Sequence, residues 1–205
     1  MNATAQDTSQ SNTQYPADMD AWFDQKFDER MAQREADHVP SMTIIATKGT
    51  MDMAYPPFIL ASTGAALGWD VSIFFTFYGL SLLKKDLDLK ISPLGNPAMP
   101  MKMPEGPKWL QEKELNIPNS VMSLVPGFET MATTMMKKTL KKKGVASITE
   151  LRDLSVEADV KMIACQMTVD LFGWDQSDFI DEVSDWVGAA SFLPTAQKAD
   201  ISLFV

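Results

Sequence analysis

One cysteine, Cys165, is the side chain of this 205-residue chain best suited to covalent chemistry. It follows the apolar run VKMIA (160–164), which is typical of a strand, and precedes QMTVDLF (166–172), which has the pattern of a short helix. A cysteine between a strand and a helix lies at the positive end of the helix dipole, which favours the nucleophilic thiolate. Such a thiolate can accept one sulfur atom and hold it as a persulfide. The alternative is an inert thiol, because free cysteine is among the most buried residue types.

Other chemistry finds less support in the residue types. The one histidine, His38, lies outside the predicted strands and could act as a base for Cys165 only across subunits. A single cysteine excludes an intramolecular disulfide, and no cluster of histidine, cysteine or carboxylate predicts a metal site. The glycine-rich motifs of nucleotide-binding loops are missing. We therefore expect neither a metal nor a cofactor.

A second group of candidates follows the first predicted strand, SMTIIAT (41–47). Lys48 comes directly after that strand and could place a positive charge beside the thiolate; an ordinary solvated lysine is the alternative. Gly49 belongs to the turn that opens the next helix, and Thr50 is a candidate N-cap for that helix.

A third group lies in the proline-rich segment 91–127. Met99, Met101 and Met103 alternate there with prolines and other residues. Interleaved prolines predict an extended apolar lid, binding loop or interface, because a loop of this length in a compact domain usually serves such a role. Binding of Cu(I) by the thioethers is the alternative.

The elements that must position these residues alternate between strand and helix patterns. Strands are predicted at 41–47, 71–77, 160–164 and 199–205, with a fifth one in 119–127. Helices are predicted at 52–67, 79–86, 129–143, 148–158, 166–172 and 175–184, and a last one has Ser191 as its N-cap and Pro194 in its first turn. Ser147 and Glu150 form a capping box at the start of 148–158. The pattern predicts an open α/β fold whose parallel sheet is covered on both faces.

The remaining features of the sequence limit which partners and which cellular location we expect. Residues 1–16 have the composition of a disordered tail, and residues 17–38 predict a helix with an apolar stripe that requires a covering surface. A net charge of −9 argues against nucleic acid, although the lysine cluster KKTLKKK (137–143) could dock an acidic partner. The apolar run after Asp70 has 13 residues, which is short for a membrane span of about 20 residues. We expect a cytoplasmic protein without a signal peptide.

Several stretches, in order, resemble a known family. They are ATKGTMDMAYPPFILASTGAALGW, IFFTFYGLSLLKKD, GNPAMPMKMP, MATTMMKK, KMIACQMTVDLFG and ADISLFV. Together they resemble the DsrE/DsrF-like family, and within it the subgroup often labelled "peroxiredoxin family protein". The resemblance covers residues 41–205.

The resemblance implies a three-layer α/β/α domain with a mainly parallel sheet of four to five strands, and a homo-oligomer. It also implies cytoplasmic sulfur trafficking, in which persulfide sulfur passes between carriers such as a rhodanese and a TusA-type protein. The sulfur-bearing cysteine of the family lies in the turn that IACQM forms here, so the role falls on Cys165. The supporting residues would be Lys48, Gly49, Thr50, Gln166, Met99 and Met101.

Two other functions remain open. Cys165 could belong to a thiol redox enzyme or sensor that cycles through a sulfenic acid with an external resolving thiol. A peroxidatic cysteine normally follows a proline and a threonine, and VKMIAC contains neither. The protein could also be an assembly protein in which the cysteine is merely packed. The lack of a second cysteine excludes a relay between two internal thiols.

Overall fold

The computed structural model describes residues 17–92, 101–102, 107–112, 114–115 and 126–205. The chain divides into two units, and the boundary falls between His38 and Val39. The first unit contains helix α1 (Ala17–Ala36). Its apolar stripe is exposed and consists of Met19, Trp22, Phe23, Phe27 and Met31. The predicted tail, 1–16, lies outside the described residues.

In the second unit, the described residues form the following strands and helices. Its strands are β1 (Ser41–Ala46), β2 (Asp70–Phe75), β3 (Met101–Lys102), β4 (Glu114–Leu115), β5 (Lys161–Cys165), β6 (Val183–Val187) and β7 (Ile201–Phe204). Its α-helices are α2 (Met51–Ala66), α3 (Lys108–Gln111), α4 (Phe128–Lys142), α5 (Ile148–Glu157), α6 (Gln166–Phe172) and α7 (Ala189–Lys198). Two 3₁₀ helices span Phe77–Leu83 and Gln176–Asp178.

Five strands form one parallel sheet in the order β6-β5-β2-β1-β7. From β1 the chain adds β2, β5 and β6 in one direction and then crosses back to place β7 on the other side of β1. Because such crossovers are right-handed, the reversal moves the last helix to the opposite face. Helices α2, α4, α5 and α6 pack on one face, and α7 packs on the other. The predicted α/β/α architecture with a parallel sheet is confirmed.

The core consists of two clusters separated by the sheet. Side chains alternate along each strand, so Met162 and Ala164 join the larger cluster under α2 and α5. Their neighbours Ile163 and Cys165 point to the other face and join a small cluster under α7. The side of the sheet on which the thiol lies therefore follows from the period of the strand.

The segment after β2 differs from its prediction. The strand ends at Phe75, two residues early, and the predicted helix at 79–86 is a 3₁₀ helix over Phe77–Leu83. Gly79 allows this segment to approach the end of β1, because a Cβ on Gly79 would lie 2.2 Å from the Ala46 carbonyl oxygen. The buried Arg152 of α5 binds the carboxyl end of the 3₁₀ segment. Its Nη1 donates hydrogen bonds to the carbonyl oxygens of Leu82 (3.3 Å) and Lys84 (2.8 Å).

The predicted helix over 175–184 is wrong. Asp175 does cap a helix, but this is the single 3₁₀ turn Gln176–Asp178, and the chain then forms β6. β6 is an edge strand, so it carries polar residues that are uncommon in a buried strand. One of them, Ser184, accepts a hydrogen bond from the Met162 backbone N–H at 3.1 Å, beside a register shift in the pairing of β5 with β6.

Two further details concern the strand predicted within 119–127, which stays a prediction, and the start of the last helix. The fifth strand of the sheet is β6, and most of the segment 119–127 lies outside the described residues. Helix α7 begins at Ala189 with Gly188 as its N-cap, so Ser191 is not the cap and Pro194 lies inside the helix. The preceding strand ends at Val187, so the helix can begin directly after Gly188. The prediction placed the start later because it put Pro194 in the first turn.

We predict that Gly79→Ala lowers the free energy of unfolding by about 1–3 kcal/mol, because the new Cβ overlaps the Ala46 carbonyl. Urea denaturation measures the change. Gly188→Ala is the matched control, since a Cβ at that position meets no atom within 4 Å. Equal losses in the two variants would contradict the close approach of the 3₁₀ segment to β1.

The capping box of α5 predicts a dependence of stability on pH. Glu150 accepts a hydrogen bond from the Ser147 backbone N–H, which lowers the pKa of Glu150 below its usual 4.5. A lowered pKa stabilises the fold fully above the unfolded-state pKa, and this contribution disappears as pH falls through the folded-state value. The advantage of the wild type over Glu150→Gln should therefore narrow below pH 4.5. Urea denaturation across pH, with Glu157→Gln in the last turn of α5 as the control, tests this; parallel pH curves for wild type and Glu150→Gln would contradict it.

Candidate functional site

Cys165 is the last residue of β5 and occupies the N-cap position of α6. β2 ends at Phe75 opposite Ala164, whereas Cys165 itself is in register with Val187 of β6. The thiol therefore lies at the carboxyl edge of the sheet, where ligands and chemistry gather in open α/β folds. The predicted position of Cys165 between a strand and a helix is confirmed.

The thiol is covered rather than open to solvent. Cys165 is 1% exposed and shares a cluster of buried side chains with Phe74, Ile163 and Phe192. The rings of Phe74 and Phe192 stack with their centroids 4.6 Å apart and an interplanar angle of 11°. Ile45, Val187 and Ala196 pack around this cluster. The thiol is therefore buried together with aliphatic and aromatic side chains.

A buried threonine holds the junction after Cys165 in place. Thr168 of α6 is 1% exposed, and its Oγ1 accepts a hydrogen bond from the Phe77 backbone N–H at 3.2 Å. The same oxygen lies 3.3 Å from Thr76 Oγ1 in a second hydrogen bond. These bonds join the carboxyl ends of β2 and β5. Sequence reasoning missed Thr168, because its partners lie about 90 residues away in the chain.

Phe77, which donates its backbone N–H to Thr168, has an unusual backbone conformation. Its φ of 48° lies in the left-handed region, which a bulky residue seldom adopts. Next to it, Tyr78 stacks on Phe172 of α6 with a centroid distance of 5.8 Å. Met167 and Leu171, also on α6, expose apolar side chains. The 3₁₀ segment and α6 thus form one unit that presents apolar surface at this edge of the sheet.

The loop after β1 lies apart from the thiol. β2 runs between β1 and β5, so the loop is separated from Cys165 by two strand spacings, about 10 Å. Lys48 is exposed in this loop. Gly49 packs against the 3₁₀ segment, since a Cβ there would lie 2.3 Å from the Tyr78 carbonyl oxygen. Thr50 is at the N-cap position of α2 but its side chain makes no capping hydrogen bond. A supporting role for these residues stays a prediction.

The other supporting residues differ in how much the structure describes. The side chain of Gln166 donates to Asp170 Oδ1 at 2.8 Å and accepts from Gln176 Nε2 at 3.0 Å, so it braces the surface of α6. Met101 lies in β3, which pairs with β4 in an antiparallel ladder. Met99 lies outside the described residues. The roles predicted for these residues stay predictions.

Other kinds of site were considered in the described part of the chain: metal centres, membrane spans and clefts. Histidine, cysteine and carboxylate side chains in the described part of the chain form no group of three suited to a metal ion. No helix within the described residues combines the length and apolar character needed to cross a membrane. A cleft of about 980 Å³ lies between α2, α4 and α5, on the face of the sheet opposite to Cys165. It therefore belongs to a different part of the surface from the thiol.

We predict that Thr168→Val lowers the free energy of unfolding by about 1–2 kcal/mol, because it removes the acceptor of the Phe77 N–H. Amide hydrogen exchange at Phe77 should also become faster. Thr168→Ser keeps the hydroxyl group and is the control, with a smaller loss of stability and slow exchange at Phe77. Slow exchange at Phe77 in the valine variant would show that this hydrogen bond does not hold the junction.

The sequence of the chain is similar to a known protein family and to two known proteins. The model of the DsrE/DsrF/DrsH-like family matches residues 38–204. The chain is 56% identical over 164 residues to sulfur carrier protein DsrE2 of Allochromatium vinosum, a match that covers 80% of this chain and 97% of that protein. It is 30% identical over 164 residues to uncharacterized protein YrkE of Bacillus subtilis, with 80% and 95% covered. The resemblance expected from the sequence is confirmed: the chain belongs to the DsrE/DsrF/DrsH-like family.

Proposed function

We propose that this protein is a sulfur carrier that holds sulfur as a persulfide on Cys165. The observation that carries the proposal is the position of the chain's single thiol at the carboxyl edge of a parallel sheet, at the junction of β5 and α6. The name of the 56% identical relative, a sulfur carrier protein, supports the same role.

The transfer is a thiol exchange without net oxidation. The Cys165 thiolate attacks the outer sulfur of a donor persulfide, the donor S–S bond breaks, and the donor leaves as a thiolate. A new S–S bond now joins the transferred sulfur to Cys165. The return step is the same reaction with an acceptor thiolate as the nucleophile, so no cofactor takes part.

The partners of this exchange must be other molecules, because the chain has no second cysteine. We expect a rhodanese as donor and a TusA-type carrier as acceptor, or the reverse, in the cytoplasm. We also expect the carrier to act as a homo-oligomer. The exposed side chains of Met167 and Leu171 beside the junction are suited to a protein partner, since apolar residues there remain uncovered.

The apolar surroundings of Cys165 suit a carrier that must keep its cargo. Water and small oxidants reach a thiol that is 1% exposed only when the surrounding side chains move. Burial of this kind slows the oxidation of a thiolate or persulfide, because susceptibility follows exposure. A redox enzyme, by contrast, requires its cysteine to meet peroxide directly.

The test is intact-mass spectrometry of the purified protein after incubation with polysulfide, or with a rhodanese loaded with sulfur. We expect the mass of the wild type to increase by whole sulfur atoms, and dithiothreitol to reverse the increase. Cys165→Ser is the control and should remain unmodified, because it keeps the size of the side chain but lacks the thiol.

Two results would overturn the proposal. A wild type that gains no sulfur, with a thiol that alkylating reagents modify only in the unfolded protein, would make Cys165 a packed residue. Rapid peroxide consumption with a thiol reductant, through a sulfenic acid at Cys165 and without sulfur uptake, would make the protein a redox enzyme.

A further inference from the structure

The side of the sheet that carries Cys165 is thinly covered. The order in which the chain adds strands to the sheet reverses once, after β6, and among the described helices of the second unit α7 alone packs on this face. The thiol and Phe192 of α7 belong to the same small cluster, and Phe192 stacks on Phe74 of β2. Whatever uncovers this cluster also uncovers the thiol.

Helix α7 is attached to the sheet through few side chains. Of its ten residues only Phe192 is buried, and Ala196 is half-buried. Its carboxyl half stands over a cleft of about 280 Å³, lined on the helix side by Pro194, Thr195 and Lys198 and on the sheet side by Thr43 and Ser72. The second half of the helix is therefore not packed tightly on the strands beneath it.

The start of the helix lacks a capping side chain, and its interior lacks one backbone hydrogen bond. Gly188 precedes it without a capping side chain, and a Cβ there would meet no neighbour, so packing does not restrain this position. Pro194 has no N–H, so the carbonyl of Ala190 loses its helical hydrogen bond. β7, which follows the helix, is anchored separately, because Asp200 accepts hydrogen bonds from Ser41 N (2.7 Å) and Ser41 Oγ (2.9 Å). α7 can therefore open while the sheet remains intact.

We propose that Phe192 closes the access to Cys165, and that sulfur exchange takes place when α7 moves and withdraws this ring from the Phe74 stack. The inference rests on the proposed function, in which Cys165 bears the sulfur. Phe192 contributes no reacting atom; it decides when a donor or acceptor reaches the thiol.

The route past α6 is a weaker candidate. Thr168 and Val169 are both buried, and the hydrogen bonds of Thr168 tie α6 to the segment after β2. Opening on that side breaks these hydrogen bonds and disturbs the larger core cluster, to which Val169 belongs. Opening at α7 removes one buried aromatic side chain from its cluster.

The experiment measures how fast iodoacetamide alkylates Cys165 in the native protein, followed by intact mass. Phe192→Ala should accelerate alkylation by at least about tenfold, because most of the burial that holds α7 is lost. Leu193→Ala, on the same helix but exposed, should react like the wild type. Ile73→Ala removes a buried side chain from the larger cluster and is the control for stability. It shows how much a loss of global stability alone accelerates the alkylation of Cys165. Phe192→Leu serves if the alanine variant does not fold, with a smaller acceleration.

The outcomes separate this proposal from the sulfur carrier itself. Equal acceleration in Phe192→Ala and Ile73→Ala at equal loss of stability would mean that the thiol is reached by global unfolding, and the role of Phe192 would be wrong. An unchanged alkylation rate in Phe192→Ala, with normal sulfur uptake by the wild type, would overturn the role of Phe192 and leave the carrier standing. Fast alkylation in Phe192→Ala together with no sulfur uptake by the wild type would support control of access by Phe192 and overturn the carrier.

Discussion

The pairing of β5 between β2 and β6 is the constraint on which the position of Cys165 depends. β2 pairs with β5 as far as Ala164 and β6 pairs with it as far as Cys165, and the pleat then decides which face each side chain takes. With Met162 and Ala164 committed to the larger cluster, Cys165 must point to the face of α7. The thiol is thus placed by backbone hydrogen bonds rather than by contacts of its own.

The carboxyl edge of the sheet is held together by contacts between segments distant in the chain. Thr168 joins α6 to the segment after β2, Gly79 brings that segment against β1, and Arg152 ties its end to α5. Buried polar groups of this kind require partners, because an unmade hydrogen bond costs about 1–3 kcal/mol. These contacts restrain the carboxyl ends of β2 and β5, whereas α7 contributes a single buried side chain, Phe192, to the cluster of the thiol.

In the proposed function, the carrier must both protect its sulfur and release it, and these demands oppose each other at a single cysteine. Under that proposal, the burial of Cys165 in one cluster with Phe74, Ile163 and Phe192 answers the first demand. The second demand requires a part of the cover that opens without unfolding the sheet. In our proposal this part is α7, which the change of strand order after β6 places on the face of Cys165, whereas the described helices α2, α4, α5 and α6 pack on the opposite face.

The sequence by itself determined the elements whose signals are local. The apolar runs of β1, β2, β5 and β7, the capping box at Ser147 and the position of Cys165 between strand and helix can all be read over a few neighbouring residues. Only the tertiary structure decided what depends on distant partners. β6 resembled a helix because an edge strand carries polar residues. Thr168 bonds to Phe77, which follows β2, and Phe192 stacks on Phe74 of β2, so both have partners far away in the chain. The burial of Cys165 was equally undecided, because it depends on which face of the sheet receives α7, and the order of the strands sets that face.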